Sequence, residues 1–144
     1  MSKHCSQNDS QRSRAARDRT RRVGVACAAQ RRAGADLVQK VLTEGGGVMS
    51  AANLAEVLGK VVDVGGDIEE VNALLIAAGV LIESLDAADA LVVAAMRSVD
   101  GGQSLSLGDR CCLALAARSE PPVVLTADRA WADLDLPVVV TFIR

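Results

Sequence analysis

Three acidic residues, Glu56, Asp109 and Asp128, are the strongest candidates for chemistry in this sequence. Asp128 follows the apolar run Val123-Val124-Leu125-Thr126, and open α/β sheets bind ligands beyond the carboxyl ends of their strands. Carboxylates that converge there without histidine suit a hard divalent cation such as Mg²⁺. Such an ion can activate water against a phosphodiester. The three residues are therefore predicted to be both metal ligands and catalytic residues.

Each acid also has a structural interpretation, which stays open. Asp128 could cap the short helix that follows it. Asp109 stands three residues after Ser106, in a capping-box arrangement at a predicted helix start. Glu56 could form a surface ion pair with Lys60, one turn further along. It belongs to a polar helical stripe that we expect to be solvated (Asn53, Glu56, Lys60 and Asp63).

Two arginines, Arg110 and Arg129, directly follow two of these acids. A guanidinium next to a metal-binding carboxylate could reach the phosphate oxygens of a substrate. The alternative is that both side chains are solvated surface charges. We predict Arg110 as a substrate-binding residue, with that alternative open.

Composition excludes several other kinds of site. The single histidine rules out paired-histidine zinc sites and two-imidazole mechanisms, and the two aromatic residues rule out a site of stacked rings. Phosphate-loop, dinucleotide-binding and serine-hydrolase motifs are absent from the sequence. The four cysteines form no CxxC pair, which favours reduced thiols and a cytoplasmic location. The longest uncharged apolar stretch, 71–82, is too short to span a membrane.

Charge is distributed unevenly along the chain. Residues 1–33 carry nine Lys and Arg against two Asp, whereas residues 34–144 carry seven basic and sixteen acidic side chains. The Arg-rich opening shows no periodicity. We therefore predict that residues 1–33 are a disordered or non-native segment, from a shifted reading frame or a misplaced start, and that residues 34–144 form the domain.

Hydrophobic periodicity and caps predict alternating helices and short apolar strands. The helices are expected over 35–43, 50–64, 67–78, 86–99, 107–118 and 129–134, and the strands over 48–49, 80–82, 123–126 and 138–143. Continuous β-branched strands are typical of sheets covered on both faces. The pattern predicts a three-layer α/β fold with a mainly parallel sheet.

From about residue 34 onward the chain resembles the PIN-domain ribonuclease toxins of bacterial type II toxin–antitoxin systems, the VapC-like group. The matching stretches are Ser50-Ala-Ala-Asn-Leu-Ala-Glu-Val-Leu58, Leu105-Ser-Leu-Gly-Asp-Arg-Cys-Cys-Leu-Ala-Leu115, Leu125-Thr-Ala-Asp-Arg-Ala-Trp131 and the C-terminal Val138-Val-Val-Thr-Phe-Ile-Arg144. The order and spacing of these stretches carry the resemblance.

The resemblance implies an endoribonuclease that depends on Mg²⁺, with Mn²⁺ as a substitute, and that is the toxin component of a toxin–antitoxin pair. It places Glu56, Asp109 and Asp128 on three acid positions of the family and Thr126 on a hydroxyl position beside them, and we therefore predict that Thr126 binds substrate. It also implies a structured RNA substrate, a cognate antitoxin that covers the acid cleft, and a homodimer.

The chain departs from the family at its start. Relatives begin with a central strand that ends in an Asp, and residues 1–33 contain no match to it. We expect this strand to be missing or replaced. A short strand over 23–26 could substitute for it without supplying a carboxylate. Activity is therefore expected to be impaired, and the alternative is a non-catalytic PIN module that binds antitoxin or RNA.

Overall fold

One parallel sheet organises the fold. The structure, a computed structural model, describes residues 23–25, 35–45 and 47–143. Its described strands follow the order β3-β2-β1-β4-β5, and every neighbouring pair is parallel. They are β1 (Val23–Val25), β2 (Gly47–Ser50), β3 (Leu81–Glu83), β4 (Val123–Thr126) and β5 (Val139–Phe142).

Helices alternate with these strands, as predicted. They are α1 (Ala35–Gly45), α2 (Ala51–Asp63), α3 (Ile68–Ala77), α4 (Ala87–Ala95) and α5 (Leu107–Ala117), with 3₁₀ turns at Met96–Ser98, Gly102–Ser104 and Arg129–Asp133. The predicted α/β class with a parallel sheet is confirmed. The predicted helix over 86–99 is shorter, because its last residues form a 3₁₀ turn.

The centre of the sheet is occupied by β1, which pairs with β2 on one side and β4 on the other. The expected central strand is therefore replaced by Val23-Gly24-Val25, which carries no carboxylate. These residues lie inside the segment 1–33 that sequence analysis separated from the domain. The boundary at residue 33 stays a prediction, and the rest of that segment lies outside the described residues.

Side-chain caps begin four of the helices at the positions that the sequence indicated. Ser50, Asp67, Asp86 and Ser106 each accept a hydrogen bond from a backbone N–H in the first turn of the helix that follows. These bonds satisfy amide groups that have no partner within the helix. The caps therefore fix where α2, α3, α4 and α5 begin.

The cap of α4 makes a pH-dependent contribution to stability. Hydrogen bonds from the backbone N–H groups of Asp89 and Ala88 lower the pKa of Asp86 below its ordinary value of 3.8. A carboxylate with a lowered folded-state pKa stabilises the fold above pH 3.8, and this contribution is lost as the pH falls through the folded pKa.

We expect Asp86→Asn to remove this part of the acid sensitivity. Urea unfolding of both proteins between pH 5 and about pH 3 measures it, because the amide caps the helix without titrating. The stability of the wild-type protein should fall more steeply than that of the variant below the unfolded pKa. Parallel curves for the two proteins would show that the cap contributes no pH dependence.

Helix α5 runs through the centre of the molecule. All seven of its residues from Arg110 to Ala116 are buried. Leu113 packs with Val124 of β4 and with Trp131 of the last 3₁₀ turn. The two cysteines of α5, Cys111 and Cys112, are buried and form no disulfide among the described residues, as the prediction of reduced thiols requires, whereas Cys5 and Cys27 lie outside the described residues.

An ion pair connects the start of α4 to the end of α5. Asp89 is buried, and its Oδ1 lies 3.1 Å from Nε of Arg118. Arg118 Nη2 also donates to the carbonyl of Ser84 at 2.7 Å. Sequence analysis did not single out Asp89, although its spacing from the cap residue Asp86 matches that of a capping box, which the structure contains.

None of the helices in the described part of the chain is long and apolar enough to cross a membrane.

Candidate metal site at the carboxyl edge of the sheet

Two helices begin at the carboxyl edge of the sheet and contact each other there. α2 starts directly after β2, and α5 precedes β4 and packs against it. The Nδ2 of Asn53, in the first turn of α2, donates to the carbonyl of Gly108, in the first turn of α5, at 2.9 Å. This bond brings Glu56 and Asp109, one on each helix, to the same region.

Asn53 is held in place by the cap of its own helix. Its backbone N–H donates to Oγ of Ser50 at 3.1 Å, and the Ser50 hydroxyl donates in turn to Oδ1 of Asn53 at 2.5 Å. Only 5% of Asn53 is exposed. Its expected place on a solvated stripe is therefore wrong, since the partner that buries it, Gly108, is 55 residues away in the chain.

Glu56 divides its two carboxylate oxygens between a surface partner and the neighbouring helix. Its Oε1 lies 3.0 Å from Nζ of Lys60, which is the ion pair that the spacing predicted. Its Oε2 lies against Gly108, where an added Cβ would stand only 2.5 Å from that oxygen. The absence of a side chain at Gly108 therefore lets the carboxylate rest on the first turn of α5.

Asp109 forms the capping box that its spacing from Ser106 predicted. Its Oδ2 accepts from the backbone N–H of Ser106 at 2.9 Å, and Ser106 Oγ accepts from the N–H of Asp109 at 3.1 Å. The structural interpretation is confirmed, and the bond uses one of the two carboxylate oxygens. The carboxylate therefore has a fixed orientation beside Gly108.

Asp128 stands at the end of β4 and is exposed. Its Oδ1 caps the following 3₁₀ turn by accepting from the N–H of Ala130 at 2.9 Å, as the alternative interpretation predicted. Thr126 is buried, and its hydroxyl accepts from the N–H of Asp128 at 3.0 Å. Thr126 thus supports the turn that carries Asp128, and its role in substrate binding stays a prediction.

The two arginines differ in environment. Arg110 is only 8% exposed, and its buried Nε and Nη1 have no hydrogen-bond partner within the described part of the chain. For Arg110 the surface-charge interpretation is therefore wrong. Arg129 is exposed, and its guanidinium lies 4.9 Å from the centre of the Phe142 ring, within the range of a cation–π contact.

The donor atoms have the chemistry that Mg²⁺ requires, but the set is incomplete. Within residues 35–45 and 47–143, no three Asp, Glu, His or Cys side chains lie close enough together to hold one ion. Glu56 and Asp109 share the contact between α2 and α5, whereas Asp128 stands at the end of β4. The expectation that all three carboxylates close around one ion is not met in this conformation, and their assignment as ligands stays a prediction.

Sequence analysis missed Asn53 and Gly108 as parts of this site. Ser50 and Asn53 do show the three-residue spacing of a helix cap and its first-turn partner, which was the available signal. Gly108 carries no local signal, since a glycine in the first turn of a helix is ordinary. Its importance arises from the approach of Glu56.

The comparison with known protein families agrees with this architecture. The family model of the PIN domain matches residues 23–136, which begins at β1 and includes Glu56, Asp109 and Asp128. No curated protein and no solved structure shows significant similarity to the chain. PIN domains are generally metal-dependent nucleases, and the metal is usually Mg²⁺. With a match over most of its length and a parallel α/β sheet that carries acids at its carboxyl edge, the chain belongs to the PIN domain family.

Proposed function

We propose that this chain is a Mg²⁺-dependent endoribonuclease and the toxin component of a toxin–antitoxin pair. The observation that carries the proposal is the contact of Glu56 with the first turn of α5, beside Asp109. The two acids lie on different helices that contact each other at the carboxyl edge of a parallel sheet, where α/β proteins bind ligands. Family membership supplies the nuclease class.

Each residue has a defined part in this proposal. Glu56 and Asp109 would hold the ion, and Asp128 would complete the site from the end of β4. When bound, Mg²⁺ supplies an activated water and neutralises charge on the phosphodiester. Thr126 orients Asp128 through the turn. Arg110 would attract the RNA phosphates, since its buried Nε and Nη1 have no hydrogen-bond partner among the described residues.

The incomplete acid set leads us to expect weak activity. The central strand β1 brings no carboxylate to the site, and the described residues contain no group of three ligands. Fewer carboxylates lower the affinity for a divalent cation. Mn²⁺, as a substitute ion, should therefore be tested beside Mg²⁺ at millimolar concentration. A cytoplasmic location, a homodimer and a cognate antitoxin belong to the same proposal.

Asp109→Asn is expected to lower Mg²⁺-dependent RNA cleavage by about 100-fold or more, as loss of a charge-stabilising group in an active site does. The amide oxygen can still accept from the N–H of Ser106, so the fold should remain intact. Cleavage of a labelled tRNA mixture, with and without Mg²⁺ or Mn²⁺, measures the effect.

Asp63→Asn is the matched control, because Asp63 is an exposed acid at the last turn of α2. We expect it to cleave at the wild-type rate. Cleavage that persists unchanged in Asp109→Asn would exclude this residue from the mechanism. Cleavage at the same rate with and without added metal would exclude the ion from the mechanism.

The second candidate function is a non-catalytic module that binds antitoxin or RNA. It is favoured by the same two observations, the carboxylate-free strand β1 and the lack of a three-ligand group in the described residues. Titration with Mn²⁺ separates the candidates, since the module should not bind the ion at millimolar concentration. Its RNA binding should weaken steeply with salt, as phosphate contacts do.

A further inference from the structure

A single contact determines where the Glu56 carboxylate lies. Oε2 of Glu56 occupies the space that a side chain at position 108 would fill, because a Cβ there would be 2.5 Å from this oxygen. The same Cβ would stand 3.3 Å from Nδ2 of Asn53. Position 108 is therefore open toward both polar groups of α2.

The position of Gly108 is itself fixed from two directions. Its carbonyl accepts from Asn53 Nδ2 at 2.9 Å, and Asn53 is attached to the end of β2 through Ser50. On the other side, Gly108 lies inside the capping box of Ser106 and Asp109. The first turn of α5 is thus connected to α2 and β2 through the buried residue Asn53, which makes a part-buried hydrogen bond to Gly108 and buried hydrogen bonds to Ser50.

We propose that Gly108 and Asn53 are positioning residues that hold the carboxylates of Glu56 and Asp109 side by side for a divalent cation. The inference rests on the proposed function. Asn53 sets the spacing between α2 and α5, and the missing side chain at Gly108 leaves the gap that the Glu56 carboxylate enters. Neither residue contacts the ion; both act through the carboxylates.

Gly108→Ala tests this directly, because it replaces one hydrogen by a methyl group and removes no existing contact of a side chain. Glu56 has a flexible side chain, so the added Cβ displaces its carboxylate while the fold persists. We expect the Mn²⁺ affinity, measured by electron paramagnetic resonance of the free ion, to fall about tenfold, at the low end of the range for residues that orient metal ligands.

Two further variants separate positioning from a general helix effect. Gly59→Ala makes the same change within α2, where a Cβ would meet nothing within 4 Å, and should leave the affinity unchanged. In a Glu56→Ala background, Gly108→Ala should cause no further loss, since the group it displaces is gone. If Gly108→Ala lowered the Mn²⁺ affinity by the same factor with and without Glu56, the proposal would be overturned.

A metal-free measurement keeps this inference distinct from the proposed function. In the apo protein, NMR should show a nuclear Overhauser effect between the Glu56 Hγ and Gly108 Hα protons. In Gly108→Ala, the corresponding effect between Glu56 Hγ and the Hα of residue 108 should be weaker. If the contact is present but the wild-type protein binds no Mn²⁺, the metal-dependent function fails while the positioning stands. If the contact is absent, the positioning fails whatever the ion does.

Discussion

Replacing Arg110 by methionine is expected to raise the free energy of unfolding by about 1–3 kcal/mol. Nε and Nη1 of Arg110 are buried and have no hydrogen-bond partner among residues 23–25, 35–45 and 47–143, so folding removes them from water without replacing their bonds. Buried, unsatisfied donors cost about 1–3 kcal/mol, and more when the group is charged. Methionine fills a similar volume and has no polar hydrogen to satisfy.

Arg118→Met, at the C-cap of the same helix, should lower the free energy of unfolding. Arg118 pairs with the buried carboxylate of Asp89, which would be left without its cation. Loss of one partner from a buried pair costs about 3–5 kcal/mol. Because 44% of the Arg118 side chain is exposed, water can partly replace it, and we expect about 1–3 kcal/mol.

Urea unfolding followed by tryptophan fluorescence measures both variants, since Trp131 is the only tryptophan in the chain. The two midpoints should move in opposite directions from that of the wild-type protein. A loss of stability in Arg110→Met would show that the guanidinium has a compensating partner in solution. Under the proposed function, the stabilised variant should also bind RNA more weakly, which would make Arg110 a residue kept for function at the expense of stability.

Trp131→Ala is expected to destabilise the protein by about 3–5 kcal/mol, the typical cost of truncating a large buried aromatic side chain. Trp131 is 2% exposed and packs with Leu113 and Val124 in the main core cluster. Since domains of this size are stable by only about 5–15 kcal/mol, the variant should be largely unfolded or close to it at 37 °C.

Circular dichroism during thermal unfolding measures this variant, because it lacks the fluorophore. Trp131→Phe is the matched control and should cost much less, since it keeps most of the ring volume and removes an indole N–H that has no partner among the residues the structure describes. Equally small losses of stability in Trp131→Ala and Trp131→Phe would show that the core around the last 3₁₀ turn is loosely packed. The turn that carries Asp128 would then lack rigid support.

Much of the fold was predictable because its signals are local. Ser50, Asp67 and Ser106 cap helices at the predicted places, since a cap depends on backbone groups only two or three residues away. The apolar run at 123–126 likewise forms β4, because such a run is stable only when both faces of the strand are covered.

The features that could not be predicted from the sequence depend on contacts between residues that are far apart in the chain. Arg110 follows an acid in a helix start and has the pattern of a surface residue, yet α5 is covered on every side by elements from elsewhere in the chain. Asn53 is buried only because α5 approaches it. For the same reason, the three acids could be identified as candidate site residues from the sequence, whereas the distances between them in the fold could not be predicted.

β1 has only three residues, yet it connects the two halves of the sheet. Within the sheet, the pair β3–β2 and the pair β4–β5 are connected through the three residues of β1, and Gly24 pairs with Val124, which lies a hundred residues further along the chain. Pairing across such a separation forms slowly, because a long loop must close first. We therefore expect this pairing to form later in folding than the contacts between neighbouring elements, and α5, which packs against β1, β2 and β4, to hold the two halves of the sheet together.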